Sequence, residues 1–439
     1  MIFLNGSHAS LAEIVDSLLD DEVGVINNIT EIPISAGAPA FFRFHSTASN
    51  TKAFTRQANS ELNGGASIDR DVALAKAIGE GVERYCSAIY DQSELILSTY
   101  NDAVIKCTRP EDFALYDVIQ YREPGFPYVP FDRDTPVRWA PAIDPLNNEV
   151  TFVPAAMVYV PYYYEVGESP IAQSISTGQA CHMGFNKAAL NAVCEVIERD
   201  ATMITWQAML SPPKIDLETV SNPNSKIIER FSKAGYSIYL FDVTLDVGVP
   251  TILAVSRNDS LEVPPIVFSA STSLNPEEAV RKSLEELEHS RYYSNYILEH
   301  EPRLEPDLNY ANIIDQESHY NFWCDHNNVT LANFIFESQK YLSFDEICNS
   351  ASGDTQKDLF HILLEIKKNG YRTLLSDITT SDVGSLGLSV VRAIIPGFHP
   401  LFIGHRFRSL GGHRLWKIPQ IMGYKGIRYN NSNPVPHPF

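Results

Sequence analysis

Two short stretches set acids and a base where chemistry needs them. GEGVERY, residues 79–85, carries Glu80 and Glu83 with Arg84, and CEVIERD, residues 194–200, carries Glu195 and Glu198 with Arg199. Positions three apart on a helix are neighbours, about 5–6 Å between Cβ atoms. Exposed, such a pair costs a few tenths of a kcal/mol; partly buried, at an effective dielectric of about 20, it repels by roughly 3 kcal/mol. Ala73, Ala77 and Val82 around the first pair, and Ala188, Ala192 and Ile197 around the second, predict burial. A buried acidic pair calls for a cation. Magnesium takes a few carboxylates and fills its shell with water and phosphate oxygens, and arginine forks grip phosphate. Two such helices face to face would make a nucleotide site. No GxxxxGK[ST] or kinase-type glycine loop occurs, so nucleotide would be bound by another route. A single Glu-x-x-Glu-Arg is usually a solvated helix face. Its recurrence in two Ala-rich helices, each after a Gly-containing loop (NGGAS, STGQA), favours the chemical reading.

The elements that must hold these residues are legible in outline. SLNPEEAVRKSLEELEHSRYY reads as a third, related helix, with Asn275 as cap, Pro276 in the first turn, a stripe of Ala279, Leu284 and Leu287, and Glu286 and Arg291 as its acid and base. Two segments nearly repeat, from Gly235 and from Gly370. Each follows a helical run and reads as helix, glycine, strand, turn, strand. This alternation predicts an α/β (α+β) fold with mixed sheets sheltered by helices. Residues 1–55 read as a separate lead-in, 56–428 as the main domain with a polar surface insertion at 300–358, and 429–439 as a proline-rich tail.

Composition narrows the class. With 439 residues, 44% hydrophobic and 20% charged, the chain can bury a large core. Six cysteines without CxxC spacing predict reduced thiols and a cytosolic address. The N-terminus has no basic leader, and no window of eighteen apolar residues predicts a membrane span. A net charge of −20, from 34 basic against 54 acidic side chains, repels nucleic acid. The twelve histidines form no HExxH and no zinc-spaced cluster.

From about residue 60 to its end the chain resembles the YcaO family. GEGVERY resembles the first Glu-x-x-Glu-Arg helix of that family, STGQACHMGFNKAALNAVCEVIERDA the second and SLNPEEAVRKSLEELEHSR the third; DVTLDVGVP and DITTSDVGSLGLSVVRAIIPG resemble the strands between and after. GGHRLWKIP and NNSNPVPHPF resemble the tail of the azoline-forming cyclodehydratases (D-protein type), whose C-termini carry Pro-x-Pro-x-Pro; here these are Pro434, Pro436 and Pro438, followed by Phe439. A stiff polyproline segment is threaded into a cleft at low entropic cost.

The resemblance implies three Glu-bearing helices around an ATP site, with ATP and Mg2+ as cofactors. The implied reaction converts Cys, Ser or Thr of a ribosomally made precursor peptide to thiazoline or oxazoline. The side chain attacks the preceding carbonyl, ATP phosphorylates the resulting oxygen, and phosphate leaves. Carried over, Glu80, Glu83, Glu195 and Glu198 become metal ligands; Lys76, Arg84, Arg199 and Arg291 contact nucleotide; Phe439, Pro438 and Arg414 serve the reaction. Implied partners are the precursor peptide, a leader-peptide-binding E1-like protein and a flavin-dependent azoline dehydrogenase, in an oligomeric complex without nucleic acid or membrane. The alternatives are a thioamide- or amidine-forming enzyme and a non-catalytic nucleotide-binding scaffold.

Several positions depart from the family. Gly65, Ala66 and Ser67 stand where Gly-Lys-Gly is common, and Lys76 replaces a usual serine one turn away. His182, Met183 and Lys187 replace a usual glycine, asparagine and glutamate. Cys86 and Cys194 read as core filler, and Asp242, Thr244, Asp377 and Thr379 as turn formers. Among His399, His405 and His413 one is a candidate proton carrier.

Overall fold

A strand runs directly into each of the three acid-bearing helices, and that pairing organises the fold. The computed structural model describes residues 10–427 and 432–439. In chain order, α1 (Leu11–Leu18) precedes β1 (Ile26–Glu31), β2 (Phe42–Ala48), β3 (Leu62–Ser67) and α2 (Arg70–Ser87). Next come β4 (Ile96–Ser98), β5 (Val137–Asp144), β6 (Glu149–Pro154), β7 (Gln179–Met183) and α3 (Phe185–Gln207). β8 (Lys214–Ile215), α4 (Asn222–Lys233), β9 (Ser237–Asp242), β10 (Thr251–Arg257) and β11 (Ile266–Thr272) lead to α5 (Pro276–His300). α6 (Gln316–Trp323), β12 (Tyr341–Leu342), α7 (Thr355–Lys368), β13 (Leu374–Asp377), α8 (Ser381–Ser385), β14 (Leu388–Ile394) and α9 (His413–Ile421) follow.

The strands form three sheets, ordered β1-β2-β3, β11-β10-β9-β8-β12 and β4-β5-β13-β14-β7, with β6 on β5. Helix α2 packs on β2 and β3 and also touches β7; α3 packs on β7 and β14 and touches β11; α5 packs on β10 and β11 and touches β3. Each helix therefore leans on its own strand and on the strand of the next unit, which closes a ring of three.

Local chemistry sets these contacts. Asp69 caps α2 by accepting from the N–H groups of Asp71 and Val72, and Asn275 caps α5 ahead of Pro276, as their residue types predict. Gly81, the second glycine of GEGVERY, lets α2 lie against β1, since a Cβ there would stand 2.6 Å from Ile26 Cδ1. The repeated helix-glycine-strand-strand units are present as α4-Gly235-β9-β10 and α7-Gly370-β13-β14, with both glycines at positive φ, 83° and 86°.

Two expected boundaries do not divide the structure. The lead-in supplies β1 and β2 to the sheet containing β3, and Ile14, Leu18 and Ile26 share a core with Ile78 and Val82 of α2; its residues 1–9 lie outside the described residues. Residues 300–358 are not a surface insertion. Phe322, Trp323, Phe334 and Ile335 pack with Phe241, Phe268, Val435 and Phe439 against the face of the β9–β11 sheet that α5 leaves open. Burying each such side chain contributes about 1.5–3 kcal/mol, and the polar residues around them concealed that core in the sequence. Among the described residues, no helix is long and apolar enough to cross a membrane.

Candidate active site

The ring of three turns its acid-bearing faces into one cleft of about 360 Å³. Helix α2 contributes Lys76, Glu80, Glu83 and Arg84; α3 contributes Asn191, Glu195, Glu198 and Arg199; α5 contributes Lys282, Glu286 and His289. The strand that precedes each helix reaches the same space, through Gly64 and Gly65, Ala180 and Cys181, and Ala270 and Ser271.

Backbone donors from those strands hold the acids. Glu83 accepts from the Cys181 N–H at 2.7 Å and Glu80 from the Gly64 N–H at 2.9 Å. Arg84 donates to Glu80 at 3.2 Å and reaches the Gln179 side-chain oxygen at 3.5 Å. Arg199 Nε stands 3.6 Å from Glu198 and 3.9 Å from Glu195, yet this buried nitrogen makes no hydrogen bond. Burial pushes the carboxyls of Glu83 and Glu198 up to about 8, against the pull of the neighbouring Arg84 and Arg199. Glu195 is raised for the same reason. Glu83 and Glu198 thus keep protons toward neutral pH unless a cation displaces them.

This donor set fits a magnesium–nucleotide. Among the described residues, no three His, Cys, Asp or Glu side chains stand close enough to hold a metal by themselves. Mg2+ takes one or two carboxylates and draws its remaining oxygens from water and phosphate, and the cleft offers carboxylates for that role on each of its three helices. Four cationic side chains, Lys76, Arg84, Lys282 and Arg199 with an Nε that makes no hydrogen bond, supply phosphate donors on the other side.

Of the residues that the sequence singles out, Glu80, Glu83, Glu195, Glu198, Lys76, Arg84 and Arg199 are brought together here. Lys76 spends its ammonium on Glu285 at 2.7 Å and the Ala66 carbonyl at 3.0 Å. Arg291 is a correction. It faces away from the cleft, donating to both Glu288 oxygens (2.7 and 2.9 Å) and to the Tyr236 hydroxyl, while Glu288 also takes Arg43 at 2.6 Å. Five residues past Glu286 is about 140° around a helix, so Arg291 cannot share that face.

Arg414 is likewise not at the cleft. It is fully buried, donates to Asp200 and Asp246, and lies over the Phe398 ring at 4.2 Å and the Tyr371 ring at 4.9 Å. It ties α9 to α3 one residue beyond Arg199. The described tail is embedded, though none of its described residues lines the cleft: Trp206 and Trp323 donate to the Val435 and Pro436 carbonyls at 3.0 and 3.2 Å, and His437 donates to the Phe402 carbonyl at 2.8 Å. Phe439, beyond Pro438, packs on Phe268 of β11, two residues before the cleft-lining Ala270. Tail residues 429–431 lie outside the described residues.

Sequence reasoning passed over Asn191, Lys282 and His289. The first stands one turn before Glu195 and the second one turn before Glu286, a spacing of four that was available as a signal. His289 lines the cleft, while His399 and His405 are buried away from it and His413 is exposed. Cys86 and Cys194 keep their thiols, pushed up by burial to about 11 and about 12. Asp242 and Asp377 accept from the N–H groups of Thr244 and Thr379, as turn formers do.

Residues 64–399 match the family described as YcaO cyclodehydratase, ATP- and Mg2+-binding. Over 395 residues the chain is 26% identical to an uncharacterised protein of Methanothermobacter thermautotrophicus, covering 88% of this chain and 94% of that one. A solved heterocyclase in complex with substrate and cofactor superposes with a TM-score of 0.82 at 18% identity, covering 98% of this chain and 57% of that one. The YcaO protein of Methanopyrus kandleri, bound with AMPPCP and Mg2+, superposes with a TM-score of 0.63 at 17% identity, covering 89% of this chain and 90% of that one. The chain thus spans little more than half the length of that heterocyclase.

Proposed function

Because the chain belongs to the YcaO cyclodehydratase family, whose members bind ATP and Mg2+, we propose that its cleft activates a backbone amide of a ribosomally made peptide so that a neighbouring Cys, Ser or Thr closes onto it as a thiazoline or oxazoline. One observation carries this reading. Carboxylates from three helices and an Arg199 Nε that makes no hydrogen bond share one cleft.

In this reading Glu80, Glu83, Glu195 and Glu198, with Glu286 in the same cleft, would hold magnesium ions, one or two carboxylates to an ion, with water and phosphate oxygens completing each shell. Arg84, Arg199 and Lys282 bind phosphate oxygens and neutralise the charge that gathers there. Bound ATP supplies the phosphoryl group that makes the amide oxygen a good leaving group. The Cys181 and Gly64 N–H groups keep Glu83 and Glu80 aimed inward, so little reorganisation is needed when nucleotide arrives. Arg414, clamped between Asp200 and Asp246, fixes the half of α3 that carries Arg199. The tail packs beside the cleft-lining Ala270 through Phe268 of β11, in the core that Val435 and Phe439 share with both, and so braces that wall.

The full chain, incubated with Mg–ATP, a Cys/Ser/Thr-rich precursor peptide and a leader-binding partner, should lower the peptide mass by about 18 Da per ring and release phosphate. A gain of about 16 Da would assign thioamide formation instead, and nucleotide binding without any mass change would assign a scaffold.

A further inference from the structure

Behind one wall of the cleft lies a second, smaller cavity of about 100 Å³. The partition is the segment before β7. Ser176 lines the main cleft, whereas Ile175 and Thr177 line the smaller cavity. Val196, beside Glu195 in α3, and Arg392, paired with Gln179 between β14 and β7, complete the shared wall. The remaining lining is rich in rings, among them Phe113, Tyr116, Phe398, Phe402 and Phe407.

Three lining residues carry buried polar atoms without a partner: Thr177 Oγ1, Arg392 Nη1 and His399 Nε2. These residues are 8%, 5% and 1% exposed. His399 Nδ1 lies 2.9 Å from the Pro400 carbonyl, which only accepts, so Nδ1 carries the proton and Nε2 is left an acceptor. Arg392 Nη1 only donates, because a guanidinium has no acceptor, and a threonine hydroxyl does either. Buried polar atoms left unpaired are costly, so the cavity suits an occupant that fills an aromatic-walled space and both donates and accepts at its tip.

The geometry points to a side-chain pocket for a tyrosine of the peptide substrate, flanking the residue on which the adjoining cleft acts. A phenol ring matches the aromatic walls, and its hydroxyl donates to His399 Nε2 while accepting from Arg392 or Thr177. Phenylalanine would leave the polar atoms unpaired, and water would satisfy them at the expense of wetting the rings. This inference rests on the reading of the cleft as a peptide-modifying site, but its test needs neither ATP nor turnover. A failure to form rings therefore leaves it standing, and its own failure leaves the cleft assignment intact.

The probes are N-acetyl-tyrosinamide, N-acetyl-phenylalaninamide and N-acetyl-alaninamide, titrated against the full chain by ligand-observed NMR. The tyrosine probe is expected to bind about tenfold or more tighter than the phenylalanine probe, with the alanine probe not binding. Thr177→Val, close in shape to the native residue, should narrow the tyrosine preference. Ala393→Leu, which fills the cavity, should abolish tyrosine binding while leaving Mg–AMPPCP binding unchanged. Equal binding of the tyrosine and phenylalanine probes, binding of none of them, or tyrosine binding that survives in a folded Ala393→Leu variant would each overturn the proposal.

Discussion

Glu83, near the end of α2, accepts a hydrogen bond from the backbone N–H of Cys181 in β7, the strand that leads into α3. The first acid helix is thereby fastened to the second unit through the carboxylate proposed to bind metal. Packing of the ring and preparation of the cleft are consequences of the same contact.

Neutralising that acid separates the two roles. Glu83→Gln and Glu198→Gln remove groups that are costly to ionise where they are buried, so the folded chain should keep its helix content and lose no more than about 1 kcal/mol of stability. Binding of Mg–AMPPCP, followed by calorimetry, should weaken at least a hundredfold. Retained nucleotide affinity in both variants would remove the metal assignment.

The raised carboxyls set a pH dependence with a definite sign. Glu83 and Glu198 titrate at about 8 in the folded chain, against about 4.3 when unfolded. Between these values the folded state binds protons that the unfolded state does not, so the metal-free protein should lose stability as pH rises from about 5 to about 8. Binding of Mg–ATP requires the ionised acids and should release protons at pH 7, with affinity rising from pH 6 to 8. Calorimetry in two buffers of different ionisation heat counts those protons; a count of zero contradicts the burial argument.

Two arginines of similar sequence context should behave oppositely. Arg199→Ala is expected to fold and to lose nucleotide affinity, because its Nε makes no hydrogen bond and only loose ion pairs, at 3.6 and 3.9 Å, with the cleft acids Glu198 and Glu195. Arg291→Ala leaves Glu288 buried beside Arg43 alone and should destabilise by about 3–5 kcal/mol. Urea denaturation alongside nucleotide titration tells them apart.

The tail is read as a brace for the wall of the cleft. Phe439→Ala should lower stability by about 3–5 kcal/mol by hollowing the core it shares with Phe268 and Trp206. Since no described tail side chain lines the cleft, Mg–AMPPCP affinity measured at a temperature where the variant is folded should change less than about threefold. A larger loss would place the tail in direct contact with nucleotide.

Four glutamates and two arginines were legible because helix periodicity is local. A spacing of three or four fixes which side chains are neighbours on one helix, whatever the rest of the chain does. The helix caps at Asn275 and Pro276, the positive-φ glycines at 235 and 370 and the Asx turns at Asp242 and Asp377 are of the same kind, each settled within a few residues. What periodicity left open is direction. Arg291 and Arg414 carry the right charge, yet carboxylates distant in sequence or on the far side of a helix claim them.

The sequence by itself determined the three acid-bearing helices, the strand-and-helix alternation and the family. Only the tertiary structure decided that three helix faces close on one cleft, that His289 and Lys282 join it, and that residues 300–358 shelter the tail. The reason is that burial and partnership are properties of assembled surfaces: a carboxylate raised to about 8 or a buried guanidinium nitrogen left without a hydrogen bond exists only after chain segments a hundred residues apart have excluded water from the space between them.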